Sequence, residues 1–153
     1  MPSRRDEIAM SDAEVRAFLA AGRELVLVTY GPDGLPDPVP MWYVLDGDGH
    51  PVMRTYAKSQ KVANVRRDPR CAALVTGGDR YDELRGVQLT GRVETFDDVD
   101  EILDVLGAVA EKYVGVRAEV TPALRDYAGK QTGLRVVADR VASWDHAKLS
   151  GRY

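Results

Sequence analysis

The spacing of its turns restricts this chain more than any other feature. Three β-rich runs, Leu25–Tyr30, Val39–Leu45 and Pro51–Tyr56, are separated by Gly31-Pro32-Asp33-Gly34 and Asp46-Gly47-Asp48-Gly49. Glycine in each turn supplies the positive φ that a tight reversal needs, and Asp-Gly between apolar runs is a hairpin signal. Neither connection is long enough for the crossover that parallel neighbours require. The three runs are therefore expected to form an antiparallel meander. The middle run enters through Pro36, Pro38 and Pro40, which fits an edge or an irregular start.

Helical signals flank this meander. Ser11-Asp12-Ala13-Glu14 has the form of a capping box, with Val15, Phe18 and Leu19 at helical spacing and Gly22 as the stop. Ser59 can cap a short helix through Val62, Val65 and Arg66 that ends at Asp68-Pro69. Strands follow over Cys71–Thr76 and Gly86–Phe96. The second of these alternates Val87, Leu89, Gly91 and Val93 against Gln88, Thr90 and Arg92, and Gly91 within it predicts a bulge or a close backbone approach. Asp97 is expected to cap an amphipathic helix carrying Ile102, Leu103, Leu106 and Val109, and Thr121-Pro122 opens another. A last strand covers Leu134–Trp144. Hairpins with segregated helices predict an α+β fold, and about six twisted strands in so small a domain tend to curl into a barrel.

Composition bounds the rest. A chain of 153 residues, 44% hydrophobic and 29% charged, fits one packed domain. It is expected over residues 11–153, with residues 1–10 as a loose arm. The formal net charge of −3 argues against general affinity for nucleic acid. No apolar run is long enough for a membrane span and no signal peptide is read at the start, so the cytoplasm is the expected compartment. Cys71 lies in an apolar run and is expected to be a core residue. His50 and His146 lie in different kinds of segment, and a metal site built on them would need carboxylate ligands that the sequence pattern does not assign, so no metal site is expected.

The stretch Arg54-Thr55-Tyr56-Ala57-Lys58-Ser59-Gln60-Lys61 carries the chemistry. Three cations and the hydroxyls of Thr55 and Ser59 converge where a strand passes into a helix. Lys58 and Lys61 are expected on the first helical turn, where free backbone N–H groups and the helix dipole favour anions. Cations at that end oppose the dipole unless an anion joins them, and Arg54 adds a planar fork suited to phosphate. Charge pattern alone leaves a phosphate site and a solvated basic turn equally open. No P-loop or dinucleotide fingerprint is present. Pro40-Met41-Trp42 is expected on the strand paired with Pro51–Tyr56, where its backbone and the Met41 or Trp42 side chain can lie along a planar ring. For Trp42 taken by itself, a core position is the expectation.

Taken together, the strand, the DGDG turn, the T-x-x-x-S-x-K element, the helix ending R-R-D-P-R and the strand VQLTGRVE resemble the pyridoxamine 5'-phosphate oxidase-like split-barrel superfamily. The resemblance implies a split β-barrel homodimer binding FMN or the deazaflavin coenzyme F420 at the dimer interface. It implies phosphate contacts from Thr55, Ser59 and Lys61, and a ring lined by the backbone of Val39–Val44. The oxidase itself has an arginine where this chain has Val39, and its C-terminal arginine-rich motif is missing here. The extra charge of Arg54 and Lys58 is more similar to the F420-dependent branch, whose cofactor has a phosphodiester and an acidic tail. The terminus SWDHAKL also resembles that branch, with Lys148 and Arg152 either meeting an anionic tail or forming a frayed cationic terminus, two readings left equally open.

The implied function is hydride transfer from reduced F420, or alternatively FMN, to an unsaturated small molecule. A cofactor of this kind carries the chemistry and the protein orients it. No paired carboxylates or Ser/His/Asp set stands out, so no catalytic residue is assigned; a proton can come from solvent or from Tyr56. A non-enzymatic carrier or sensor of flavin, F420 or haem is the main alternative, and a purely structural dimerisation domain is the plainest one.

Overall fold

The computed structural model describes residues 3–151. The elements run α1 (Arg4–Ile8), α2 (Asp12–Ala21), β1 (Leu25–Tyr30), β2 (Pro36–Met41), β3 (Val44–Leu45), β4 (Pro51–Tyr56), α3 (Gln60–Arg67), β5 (Arg70–Gly77), β6 (Arg85–Phe96), α4 (Val99–Val114), α5 (Pro122–Ala128) and β7 (Gln131–Asp145). Short 3-10 turns cover Tyr81–Glu83 and His146–Leu149. All strand pairings are antiparallel, and one sheet has the order β2-β1-β5-β6-β7-β4-β3. It curls into a half-barrel flanked by helices. Leu25, Leu27, Tyr43, Met53, Val87, Leu134 and Val136 fill the interior, while Val52 and Phe96 on the outer face pack under α4.

The run expected as one strand over residues 39–45 is two strands, which is why the sheet has seven strands. β2 pairs with β1 at one end of the sheet, and β3 pairs with β4 at the other. The chain crosses between the two edges at Trp42-Tyr43, so Pro40 and Met41 stand opposite Val26 and Leu25 and not beside Pro51–Tyr56. Tyr43, fully buried, turns inward and donates its hydroxyl to the Leu19 carbonyl. The backbone groups freed by leaving the sheet are satisfied from α4. Tyr43 N donates to the Tyr113 hydroxyl at 3.1 Å, which itself donates to the Arg23 carbonyl at 2.7 Å, and the Tyr43 carbonyl accepts from Lys112 Nζ at 3.1 Å.

Caps fall largely where the sequence places them. Ser11 and Glu14 form the reciprocal capping box of α2, and Thr121 caps α5. Asp98, not Asp97, caps α4, accepting from the N–H groups of Asp100 and Glu101. Asp97 instead accepts from Thr132 Oγ1 at 2.7 Å and pairs with Arg66. Residues 3–10, expected as a loose arm, contain α1, capped by Ser3. Their end is tied to the C-terminal turn through Lys148 Nζ, which donates to the Ala9 carbonyl and the Glu14 carboxylate, both at 2.8 Å.

Gly91 marks the expected irregularity. The β6–β7 register shifts between Thr90 and Gly91, and a Cβ at Gly91 would stand 2.1 Å from the Val137 carbonyl oxygen. That neighbour is backbone and cannot swing aside. Gly91→Ala is expected to cost on the order of 2–3 kcal/mol, the cost of forced overpacking, read as a lowered urea midpoint with unchanged slope.

Candidate functional site

The barrel stays open between β2 and the far half of β4. β3 covers only Val52 and Pro51, so Arg54, Thr55 and Tyr56 continue past its end. Facing them across the gap are Pro40, Met41 and Trp42, with Val109 of α4 closing one side. These seven residues line a pocket of about 340 Å³. The split thus brings together five of the expected site residues, Pro40, Met41, Trp42, Arg54 and Thr55, although Pro40 and Met41 reach it from a different sheet edge than expected.

Thr55 joins this pocket to a second group of site residues. Its Oγ1 accepts from Lys61 Nζ at 3.3 Å and donates to Ser59 Oγ at 3.5 Å. Ser59 is the N-cap of α3, yet its side chain makes no capping hydrogen bond, so it leaves the first-turn N–H groups without that partner. Such groups favour an anion. Lys61 lies within the first turn, as expected. Lys58 does not: it sits in the exposed turn before Ser59, and no hydrogen bond or ion pair engages it among the described residues. Arg54 is half-buried over the Tyr127 ring at 5.7 Å, and Tyr127 meets Tyr56 edge-on. The neighbouring arginines are occupied. Arg66 pairs with Asp97, Arg70 with Asp68, and Arg67 donates to the Tyr30 carbonyl.

Helix α3 is held in place by a residue the sequence did not flag. Asn64, fully buried, donates to Thr29 Oγ1 and Asp37 Oδ2 at 3.1 Å each, and accepts from Gln60 and Arg67. Its one sequence signal is a polar residue between the core positions Val62 and Val65.

Trp42 is not a core residue. It is 57% exposed and stacks on Tyr113 with ring centroids 4.4 Å apart and planes 10° apart. Lys112 lies beneath, its Nζ 4.0 Å from the centre of the Tyr43 ring. Burial, with the Arg23 guanidinium nearby, pushes the Lys112 ammonium down to about 8. These α4 residues reach the site across about seventy residues of sequence, and nothing local to Trp42 marks them.

Other expectations resolve as follows. Cys71 is buried and its thiol is pushed up to about 11 by that burial, fitting a core role. Asp46, Asp48 and His50 come together on the β3–β4 turn, a carboxylate grouping that the sequence reading did not assign to His50. Asp46 is already committed: Oδ1 accepts from the N–H groups of Asp48 and His50, and Oδ2 from Arg135 Nε at 2.9 Å. Lys148 is engaged by Ala9 and Glu14, and Arg152 lies outside the described residues. A larger hollow of about 720 Å³ lies between α2, β1 and β5. There Glu14, Glu24 and Asp145 outnumber Arg23 and Arg85, which suits a phosphate less well than the split does. Among the described residues no helix is long and apolar enough to cross a membrane.

An antiparallel barrel, open along one side and bordered there by Arg54 and unpaired strand edge, defines a split-barrel protein. The family description pyridoxamine 5'-phosphate oxidase matches residues 11–145, and the chain belongs to that family. A conserved hypothetical protein of Mycobacterium tuberculosis is 41% identical, covers 97% of this chain and 93% of its own, and superposes with a TM-score of 0.89. A FAD-binding protein of Mesorhizobium loti shares the fold at 19% identity and TM-score 0.66, covering 88% and 94%. A structure described as F420 reductase does so at 23% and 0.63, covering 83% and 94%. No curated protein matches the chain.

Folding favours neutral Lys112, so its contribution to stability is full above the ordinary lysine range and is lost as pH falls through about 8. Nitrogen-detected NMR of lysine side chains is expected to show one Nζ titrating near 8 that disappears in Lys112→Met.

Proposed function

We propose that this chain is an oxidoreductase that binds coenzyme F420, or less favourably FMN, in the split and passes a hydride to an unsaturated small molecule. The observation that carries this reading is the union, through Thr55, of an apolar-walled slot with an uncapped helix N-terminus and Lys61. A planar ring suits the slot, and a phosphate suits the helix end. The residues present fit such a group. Lys61, Ser59, Thr55 and the first-turn N–H groups would hold the phosphate, Arg54 and Lys58 would meet further negative charge, and Pro40, Met41 and Trp42 would border the ring. Three nearby cations favour the more anionic of the two cofactors. The fold neighbours described as F420 reductase and FAD-binding add weight by analogy.

The bound cofactor supplies the hydride chemistry. Thr55, Ser59 and Lys61 would anchor its phosphate, Pro40, Met41 and Trp42 would border its ring, and Met41 and Val109 would keep water from the slot. Tyr56, 56% exposed at the mouth of the pocket, is the hydroxyl best situated to pass a proton to substrate. A homodimer would cover the exposed Trp42 and complete the open side of the site. The non-enzymatic reading uses the same site, and turnover separates the two: tight binding without oxidation of reduced F420 by quinones or enones would favour a carrier.

Titration of the protein with F420 and with FMN, followed by quenching of Trp42 and Trp144 fluorescence, is expected to give micromolar or tighter binding with F420 ahead. Binding of neither cofactor overturns the proposal. Lys61→Ala and Arg54→Ala are each expected to weaken binding by about 1.5–3 kcal/mol, the loss of one charge-assisted contact. Raising the salt concentration should narrow the difference from wild type.

A further inference from the structure

The two walls of the split differ in hydrogen-bonding character, and the sequence enforces that difference. In an antiparallel ladder, hydrogen-bonded and non-bonded pairs alternate. Gly31 N donates to the Leu35 carbonyl at 2.9 Å. Counting onward, the pairs at Asp37, Val39 and Met41 are bonded, and Pro36, Pro38 and Pro40 occupy the non-bonded positions opposite Tyr30, Val28 and Val26. Their backbone groups face away from β1, and β2 is the last strand of the sheet. A proline has no N–H. The free edge of β2 therefore presents carbonyls at 36, 38 and 40 and no donor.

β4 keeps its donors. Asp46 N donates to the His50 carbonyl at 3.0 Å, which makes Val44 and Val52 the next bonded pair. On the other side of β4, Ala57 N donates to the Lys130 carbonyl at 3.0 Å. Both observations put the N–H groups of Arg54 and Tyr56 on the side facing the split, where β3 has ended. The Tyr56 carbonyl already accepts from Ser59 N at 2.9 Å. A ligand in the slot thus meets the Arg54 and Tyr56 N–H groups, the Arg54 carbonyl and the Arg54 cation along β4, and acceptors alone along β2 beside Pro40.

Resting on the cofactor reading above, we propose that the donor-free edge at Pro40 is the specificity element that selects a deazaflavin ring over a flavin ring. The two rings share their outline and their carbonyl groups. They differ at position 5, where flavin has a nitrogen with an in-plane lone pair and deazaflavin has a C–H. The edge of the ring bearing N1 and the 2-carbonyl, which gains negative charge on reduction, would be drawn to Arg54 and the β4 donors. The opposite edge, bearing position 5, would then face β2. A carbonyl oxygen there accepts weakly from C–H and repels a lone pair, and Pro40 removes the N–H that could have satisfied that nitrogen.

FMN and 5-deaza-FMN differ only at that atom and carry the same phosphate, so their ratio of dissociation constants isolates the effect. Wild-type protein is expected to bind 5-deaza-FMN about fivefold or more tightly than FMN, the scale of one net hydrogen bond. Pro40→Ala restores an N–H on the open edge and is expected to move that ratio about fivefold toward FMN. Pro36→Ala, on the same edge but outside the pocket, is expected to leave the ratio unchanged. Equal binding of both compounds by wild type, or a ratio that Pro40→Ala does not move, overturns this inference while the cofactor site stands. Failure of wild type to bind F420, FMN or 5-deaza-FMN overturns both.

Discussion

The break in the chain at Trp42-Tyr43 is the constraint on which the rest depends. There the backbone leaves one sheet edge for the other, and its polar groups can no longer pair within a ladder. Tyr113 and Lys112 take their place, bonding both the N–H and the carbonyl of Tyr43. The Tyr43 ring meanwhile fills the barrel interior. Buried main-chain groups left unpaired would be costly, so α4 fixes the point at which the barrel stops closing. Because β3 is only two residues long, β4 runs on unpaired beyond it. The slot is the direct result.

Around that slot the parts fall into two layers. On one side of β4, Val52 packs under α4 and Arg54 reaches Tyr127. On the other, Met53 joins the core while Thr55 meets Ser59 and Lys61 at the head of α3. The alternation of a single strand therefore delivers an arginine to one face and a hydroxyl to the other. Asn64 keeps α3 in register with β1 and β2 through Thr29 and Asp37. Lys61 on α3 and Arg54 on β4 are in this way attached to the barrel, while Lys58 sits on the turn between them.

Much of this was legible in the sequence, because the signals were local. The turn spacing carried two antiparallel hairpins, though not the single three-strand meander expected of them, Ser11 and Thr121 carried their caps, and Gly91 carried the bulge. What failed was what depends on partners far away. A continuous run from Val39 to Leu45 has strand character throughout, and only Tyr113 and Lys112 explain why it divides. The same division turns Trp42 outward and Tyr43 inward, reversing the expected burial of Trp42. Between Asp97 and Asp98 the sequence offered no choice. The Thr132 hydroxyl and Arg66 claim the first, leaving the second to cap α4. Lys58, directly before the N-cap Ser59, lies just outside the first turn in which it was expected.

The central claim is that the opening between β2 and β4 is where the ligand binds. Amide and indole chemical shifts followed while F420 is added test it most directly. The account predicts the largest changes at the Trp42 indole and at Arg54, Thr55, Tyr56 and Lys61, with Phe18 and Gly77 beside the larger hollow unmoved. Changes confined to that hollow, with the Trp42 indole and β4 silent, would contradict it.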